Sequence, residues 1–105
     1  MKIDASIITR NPADASLIAS RIEKSGFDGL FTFEGPHDPF LPLAVSALNT
    51  SKIKLITSIA IAFARNPMLL ANIGYDLQLL SKGRFIMGLG SQIKPHIEKR
   101  FSMPW

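Results

Sequence analysis

The chain has 105 residues, of which 47% are hydrophobic and 19% are charged, so it can bury a core but is too short for more than one domain of ordinary size. Its net charge of +4 comes from basic residues scattered along the sequence, which is typical of a solvated surface or of attraction to a phosphorylated small molecule and argues against a nucleic-acid interface. The sequence has no cysteine for disulfide or thiolate chemistry, and its longest apolar run, residues 59–64, is far too short to cross a bilayer.

The beginning of the chain predicts one strand followed by one helix. Residues 2–9 place apolar side chains at alternate positions and predict a first strand. Asn11 is a typical helix cap and Pro12 fits the first helical position, so we expect a helix that begins there and ends at Gly26.

A second unit follows, with polar side chains between its strand and its helix. Residues 30–33 predict a short strand that stops at Glu34, and the next five residues, 35–39, are rich in turn formers and include His37. Residues 41–50 predict a helix. Its expected buried stripe consists of Leu43, Ala44, Ala47 and Leu48.

The third unit contains the longest strand candidate, residues 53–64, whose apolar composition favours a central place in the sheet. Asn66 and Pro67 repeat the arrangement of cap and proline, so a third helix is expected from this point to Ser81. We expect Asp76 and Gln78 to face outward. The expected buried stripe consists of Leu70, Ile73, Leu77 and Leu80.

The stretch of residues 81–91 combines the end of a helix, a buried strand and a loop of small residues. Gly83 can adopt the left-handed conformation that ends a helix. Residues 85–89 are apolar on both faces apart from Gly88, which indicates a sheet covered by helices on each side. Gly90 and Ser91 follow at the carboxyl end of that strand, where backbone N–H groups can approach an anion.

The elements alternate as β-α-β-α-β-α-β, which predicts four parallel strands in sequential order with right-handed crossovers. Residues 94–100, which gather several basic side chains, are expected to lie in a loop. An open four-stranded sheet remains one interpretation. Because a (β/α)8 barrel needs about 250 residues, the other is the amino-terminal half of such a TIM barrel, with about four βα units.

Several short stretches, taken together, form a recognisable pattern. They are Glu34, Ser58-Ile59, Arg65-Asn66-Pro67, Asp76-Leu77, Leu80, Ser81-Lys82-Gly83-Arg84-Phe85 and Gly88-Leu89-Gly90. With these residues, the chain resembles the amino-terminal part of the bacterial luciferase-like monooxygenase family. This family includes flavin-dependent monooxygenases and oxidoreductases that use the deazaflavin coenzyme F420. The resemblance spans nearly all of the chain, and residues 94–105 look like the F420-type branch.

The resemblance implies a partial barrel domain over residues 1–105, with F420 or FMN lying across the carboxyl ends of the strands. Ser58 and Ile59 match the place where the family has a non-prolyl cis peptide bond that bulges against the cofactor ring. We expect that bond to be cis in a complete homologue, and both isomers stay open for this chain. Three further residues match the loop after the fourth strand and are implied to bind the cofactor, namely Gly88, Gly90 and Ser91.

The resemblance also implies catalytic candidates. Glu34 matches an acidic or polar residue that ends the second strand in the family. Many members place a histidine directly after it, whereas this chain has Gly35 there and His37 two positions later. His37 is therefore either the inheritor of that acid, base or substrate-binding role, or an exposed loop histidine without one.

Two functions follow as hypotheses. The first is a cytosolic luciferase-like oxidoreductase or monooxygenase that acts on an unknown small organic substrate with F420 or FMN and without a metal. The second is an inactive half-barrel that serves as a binding or interaction module, or a truncated product. Because an unclosed barrel exposes the edges of its first and fourth strands, we expect a homo-oligomer. No nucleic-acid or membrane partner is expected.

Overall fold

A computed structural model describes residues 1–105 and contains one four-stranded sheet in the order β1-β2-β3-β4. All neighbouring strands are parallel. This confirms the predicted sequential order. The strands are β1 (Asp4–Ser6), β2 (Gly29–Thr32), β3 (Lys54–Ile61) and β4 (Phe85–Gly90).

The helices begin largely where the sequence predicts. Asn11 and Asn66 each accept a hydrogen bond from the backbone N–H two residues later, at 3.0 and 2.8 Å, and each precedes a proline. A short 3-10 turn, Pro12–Asp14, leads into the first α-helix. The helices are α1 (Ala15–Lys24), α2 (Phe40–Leu48), α3 (Pro67–Ser81) and α4 (Lys94–Arg100). None of them is long and apolar enough to span a membrane.

The helices α1, α2 and α3 cover one face of the sheet only. The buried core lies between that face and these helices, and it includes Leu30, Leu43 and Leu55, all fully buried. The opposite face is open and carries exposed apolar side chains such as Phe33 and Ile86. The expectation that helices cover the sheet on each side is therefore wrong. Strands that are apolar on both faces are equally suited to a barrel, whose inner face packs against other strands.

Two other expectations also need correction. Leu48 and Leu80, predicted to be buried, are exposed, because the stripes of α2 and α3 that face the sheet are narrower than the apolar surface of these helices. Asp76 and Gln78 are exposed as expected, and the side-chain amide of Gln78 also donates to the carbonyl of Phe85 at 2.7 Å. Residues 94–100 form α4 rather than a loop, because Pro95 suits a first turn and Ile97 becomes fully buried.

The amino-terminal end of the sheet is held by a buried arginine. Arg84 donates five hydrogen bonds, of 2.7 to 3.1 Å, four to carbonyl groups and one to a hydroxyl. The carbonyl groups belong to residues at or just after the ends of α2 and α3 and to the residue before β3. The acceptors are Ser81, Ile53, Ala47 and Thr50, the last through both its carbonyl and its hydroxyl. The side chain thus satisfies carbonyls that helix ends leave without partners.

Glu23, in the last turn of α1, binds the turn before β3. Its carboxylate accepts hydrogen bonds of 2.8 to 3.2 Å from the backbone N–H groups of Ser51, Lys52 and Ile53. Burial raises the pKa of this carboxyl, but those hydrogen bonds and the charge of Arg84 outweigh it and hold the pKa below its ordinary value of 4.5. The ionised form of Glu23 therefore stabilises the fold.

We expect Glu23→Gln to lower the free energy of unfolding near neutral pH by about 1 to 2 kcal/mol, because the neutral amide is a weaker acceptor for three N–H groups. The pKa of Glu23 is lower in the folded state, so its contribution is present above about 4.5 and is lost as the pH falls through the folded value. Urea unfolding at about pH 7 and about pH 3 measures both effects. The difference between wild type and variant should shrink at the lower pH, whereas exposed Glu98→Gln should change little. An equal loss at both pH values would contradict the role of the charge.

Candidate functional site

Because the four strands are parallel, their carboxyl ends all lie at the same end of the sheet. A residue just after each of two strands donates a backbone hydrogen bond to the carboxyl-terminal part of the next strand, from Glu34 N–H to the Ile59 carbonyl at 3.0 Å and from Ala62 N–H to the Gly90 carbonyl at 2.9 Å. The guanidinium of Arg100, in α4, donates to the carbonyl of Gly35. These contacts confirm that the loops after β2, β3 and β4 lie on the same side of the molecule.

Glu34, directly after β2, has both carboxylate oxygens engaged. Oε1 accepts from the backbone N–H of Ile61 at 2.7 Å and from Nη1 of Arg65 at 2.5 Å, while Oε2 accepts from Nη2 at 2.9 Å. The Glu34 side chain is only 6% exposed. A bidentate, nearly buried ion pair of this kind fixes geometry more readily than it exchanges protons.

Arg65, after β3, extends this ion pair to α2. It donates to the Ile61 carbonyl at 3.0 Å, lies 5.2 Å from the ring centroid of Phe40, and its Nη2 is 3.6 Å from a carboxylate oxygen of Asp38. The other carboxylate oxygen of Asp38 accepts from the first two N–H groups of α2, at 2.7 Å each. This cluster, which we call the Arg65 network, consists of Glu34, Asp38, Phe40, Ile61 and Arg65.

Sequence reasoning missed the Arg65 network. An aspartate just before a helix is a recognised cap signal, so the role of Asp38 could have been found. The pairing of Glu34 with Arg65 spans 31 positions and has no local signal.

His37 is not among the residues that bind the Glu34 carboxylate. It is exposed and lines a cavity of about 80 Å³ beside the carboxyl ends of β1 and β2, together with Ile7, Thr32 and Phe33. Its imidazole makes no hydrogen bond to the rest of the chain, so it is free to meet a ligand. The structure does not gather three or more acidic or histidine side chains into a possible metal site.

Between Thr57 and Ala60 the pairing of β3 with β4 is interrupted. The Ser58-Ile59 peptide bond there is cis. The Thr57 hydroxyl bridges the interruption, since it donates to the carbonyl of Gly88 and accepts from the Gly88 N–H, both at 2.9 Å. Ser58 is exposed on the open face, and its hydroxyl has no hydrogen-bond partner within the chain.

The close approach of β3 at this interruption explains why positions 88 and 90 of β4 are both glycine. A Cβ on Gly88 would lie 2.1 Å from the Thr57 carbonyl oxygen, and a Cβ on Gly90 would lie 2.3 Å from the end of the Ile59 side chain. Ser91 is exposed in the loop that follows. The structure thus brings Ser58, Ile59, Gly88 and Gly90 together and places Ser91 just beyond them.

The open face beside this interruption fits a flat ring with a polar edge. Ile56 and Ile86 pair across β3 and β4 and are only partly covered, next to the free Ser58 hydroxyl. The loop after β4 offers a phosphate group fewer free partners than this face offers a ring. Lys94, three residues after Ser91, pairs with Glu98 at 3.5 Å.

Comparisons with known proteins agree with this arrangement. A family model described as luciferase-like monooxygenase matches residues 2–105. The uncharacterized protein Rv1360 of Mycobacterium tuberculosis is 59% identical over 105 residues, which are 100% of this chain and 31% of that protein. Rv3520c of the same organism, whose name marks it as a candidate coenzyme F420-dependent oxidoreductase, is 36% identical over 80 residues, 75% of this chain and 23% of that protein.

A solved structure shows the same fold. The oxygenating constituent of 3,6-diketocamphane monooxygenase from Pseudomonas putida, a type II Baeyer-Villiger monooxygenase in complex with FMN, superposes with a TM-score of 0.84 at 20% identity. The match covers 96% of this chain and 32% of that one. The chain thus spans about a third or less of the length of each of these proteins.

Proposed function

Because this chain belongs to the luciferase-like monooxygenase family, we propose that it supplies the cofactor-facing first half of a (β/α)8-barrel oxidoreductase that uses F420 or FMN. The single observation that carries the proposal is the interruption of β3, which leaves an unpartnered Ser58 hydroxyl on an open apolar face. Support for the cofactor class comes from two relatives, one named for F420 and one solved with FMN.

In this proposal the chain binds and orients the ring. The β3 interruption backs the ring through Ser58 and Ile59, while Gly88 and Gly90 keep β4 close enough to hold the interruption in place. Amide groups near Ser91 would contribute to phosphate binding. A bound flavin or deazaflavin would itself supply the redox chemistry, as cofactors do, for hydride transfer to or oxygenation of a small organic substrate.

The two catalytic candidates take different roles. Glu34 acts through the Arg65 network, since both of its carboxylate oxygens are already bound, and it holds the loop after β2 against the end of β3. His37 is the group free to bind substrate or to move a proton, because its imidazole is exposed beside a cavity. The substrate enters this proposal only as a small molecule.

The proposal is tested by fluorescence titration of the chain with F420 and with FMN. We expect the wild-type chain to bind one of the two cofactors saturably. The affinity of Ser58→Ala should be about five- to tenfold lower, because the variant loses one hydrogen bond to the cofactor. Ser16→Ala, in α1 on the helix-covered side, is the matched control and should bind as the wild type does. Unchanged affinity in Ser58→Ala would contradict the assigned role of Ser58.

A second candidate function is favoured by the open apolar face and by the unpaired edges of β1 and β4. On this alternative the chain is an inactive half-barrel that binds another protein segment or itself, or a truncated product. Failure of the wild-type chain to bind either cofactor, together with a colourless oligomer in size-exclusion chromatography, would favour it over the first. In both cases we propose a cytosolic homo-oligomer without nucleic acid.

A further inference from the structure

The part of the chain that contains α4 crosses the carboxyl end of the sheet. It begins just after Gly90 of β4, and the guanidinium of Arg100, at the end of α4, donates a hydrogen bond to the Gly35 carbonyl in the loop after β2. Because β3 lies between β2 and β4 in the sheet, this part of the chain passes the carboxyl end of β3. We call residues 92–105 the α4 segment.

The α4 segment has anchors other than Arg100. Ile97 is fully buried, and its carbonyl accepts a hydrogen bond of 3.2 Å from the Met103 N–H, which turns the chain back after the helix. The ring of Trp105 then packs edge-on against Phe63, with 5.4 Å between the ring centroids. Phe63 lies in the loop after β3, so the α4 segment contacts the loops after both β2 and β3. These anchors hold α4 in place without the contact to the loop after β2.

The stretch of residues 35–37, by contrast, has few contacts that hold it. The residues on either side of it belong to the Arg65 network and are fixed there. The stretch itself makes two hydrogen bonds to the rest of the chain. In one, the Gly35 N–H donates to the Phe33 carbonyl at 3.2 Å, and in the other the Gly35 carbonyl accepts from Arg100. Arg100 is therefore the one side chain that binds the stretch that carries His37.

Arg100 differs in this respect from the other basic side chains of α4. Its guanidinium carbon lies 4.7 Å from the ring centroid of Phe101, a cation–π contact that limits the orientations of the guanidinium. A hydrogen bond from a charged donor is also about twice as strong as one between neutral groups. Lys99 makes no hydrogen bond or ion pair, and Lys94 pairs with Glu98 within the helix.

We infer that Arg100 is a positioning residue for His37. It binds the Gly35 carbonyl, two residues before His37, and so holds the imidazole beside the cavity near the carboxyl ends of β1 and β2. The inference rests on the proposed function in one respect, namely that His37 is the group that meets a substrate there. A loop that becomes ordered only when the substrate arrives binds it more weakly, because the ordering costs conformational entropy. The contact with Arg100 provides this order before a substrate binds.

NMR relaxation of the backbone amides in the full chain, without cofactor, tests the inference. In the wild type we expect order parameters of about 0.85 for the N–H groups of Gly35 and His37, the value of a rigid backbone. Arg100→Ala should lower both to below about 0.6. Arg100→Lys should recover most of this loss, because an ammonium can still donate to one carbonyl. Lys99→Ala is the matched control, since it removes a charge from the same turn of α4, and it should leave both values unchanged.

Two further signals report whether α4 itself stays in place in Arg100→Ala. The His96 N–H, in α4, should keep its order parameter. Trp105 is the only tryptophan of the chain, so the fluorescence emission reports its contact with Phe63 and should not shift. A change in either signal would show that the substitution displaces the whole α4 segment and would overturn the specific role of Arg100.

Three other outcomes would also overturn the inference. They are unchanged order at positions 35 and 37 in Arg100→Ala, no recovery in Arg100→Lys, and an equal loss in Lys99→Ala. None of these measurements involves a cofactor. A chain that bound neither F420 nor FMN would therefore contradict the proposed function and leave the result on Arg100 as measured.

Discussion

Replacing Arg84 by alanine is expected to lower the free energy of unfolding by about 3 to 5 kcal/mol. The truncation removes five hydrogen bonds and leaves buried carbonyl groups of α2, α3 and the residue before β3 without donors. Burial lowers the pKa of the guanidinium, and the charge of Glu23 opposes this shift. The native state therefore already includes the free-energy cost of removing this charge from water. Urea unfolding followed by circular dichroism measures the loss.

Arg21→Ala is the matched control for Arg84→Ala. The Arg21 side chain is exposed on α1 and donates no hydrogen bond, so its removal should change stability by less than about 0.5 kcal/mol. Arg84→Lys should retain only part of the stability. A lysine ammonium lacks the planar set of donors with which the guanidinium reaches acceptors on three segments. A loss below about 1 kcal/mol in Arg84→Ala would show that water replaces the guanidinium at little cost.

Gly88→Ala should lower the free energy of unfolding by about 3 kcal/mol, the second largest effect that we expect. The added methyl group would lie 2.1 Å from the Thr57 carbonyl oxygen. That oxygen belongs to the backbone of a central strand, so β3 and β4 must separate to accept it. The separation would also break the paired hydrogen bonds between Thr57 and Gly88.

Gly74→Ala, in α3, is the comparison that isolates the effect of backbone contact. Its new Cβ would lie 3.0 Å from Cε of Met87, the end of a flexible side chain that can move aside. The higher helix propensity of alanine should then raise stability by up to about 1 kcal/mol. If Gly88→Ala and Gly74→Ala had the same effect in thermal unfolding, the close approach of β4 to Thr57 would not be the cause.

Most of the fold could be predicted because its signals are local. Asn11 and Asn66, each followed by proline, mark two helix starts, and Gly83 adopts the predicted left-handed conformation after α3. The family resemblance added the position of the cis bond at Ser58-Ile59. Whether helices cover one face of the sheet or both could not be predicted from β4. A strand has the same composition whether helices or other strands cover its second face.

The site was harder to predict because its contacts are distant in sequence. Glu34 was singled out by its place at the end of β2, but nothing near it in the sequence indicates that Arg65 occupies both of its oxygens. The resemblance assigns Gly88 and Gly90 to the loop after the fourth strand, which is wrong, because both lie within β4 and each has a packing reason in β3. Their roles toward a cofactor, like those of His37, Ser58, Ile59 and Ser91, remain predictions.

The Arg65 network restricts the order in which this site can change during evolution. Losing Arg65 alone would leave the nearly buried Glu34 carboxylate without its cation, and losing Glu34 alone would leave the guanidinium with only the more distant Asp38 carboxylate, at 3.6 Å, as its anion. A neutral residue such as glutamine at position 34 offers an intermediate, because it can still accept the N–H of Ile61. Positions 34 and 65 should therefore covary among homologues, and a relative that lacks the acid should also have replaced the arginine or found it another anion.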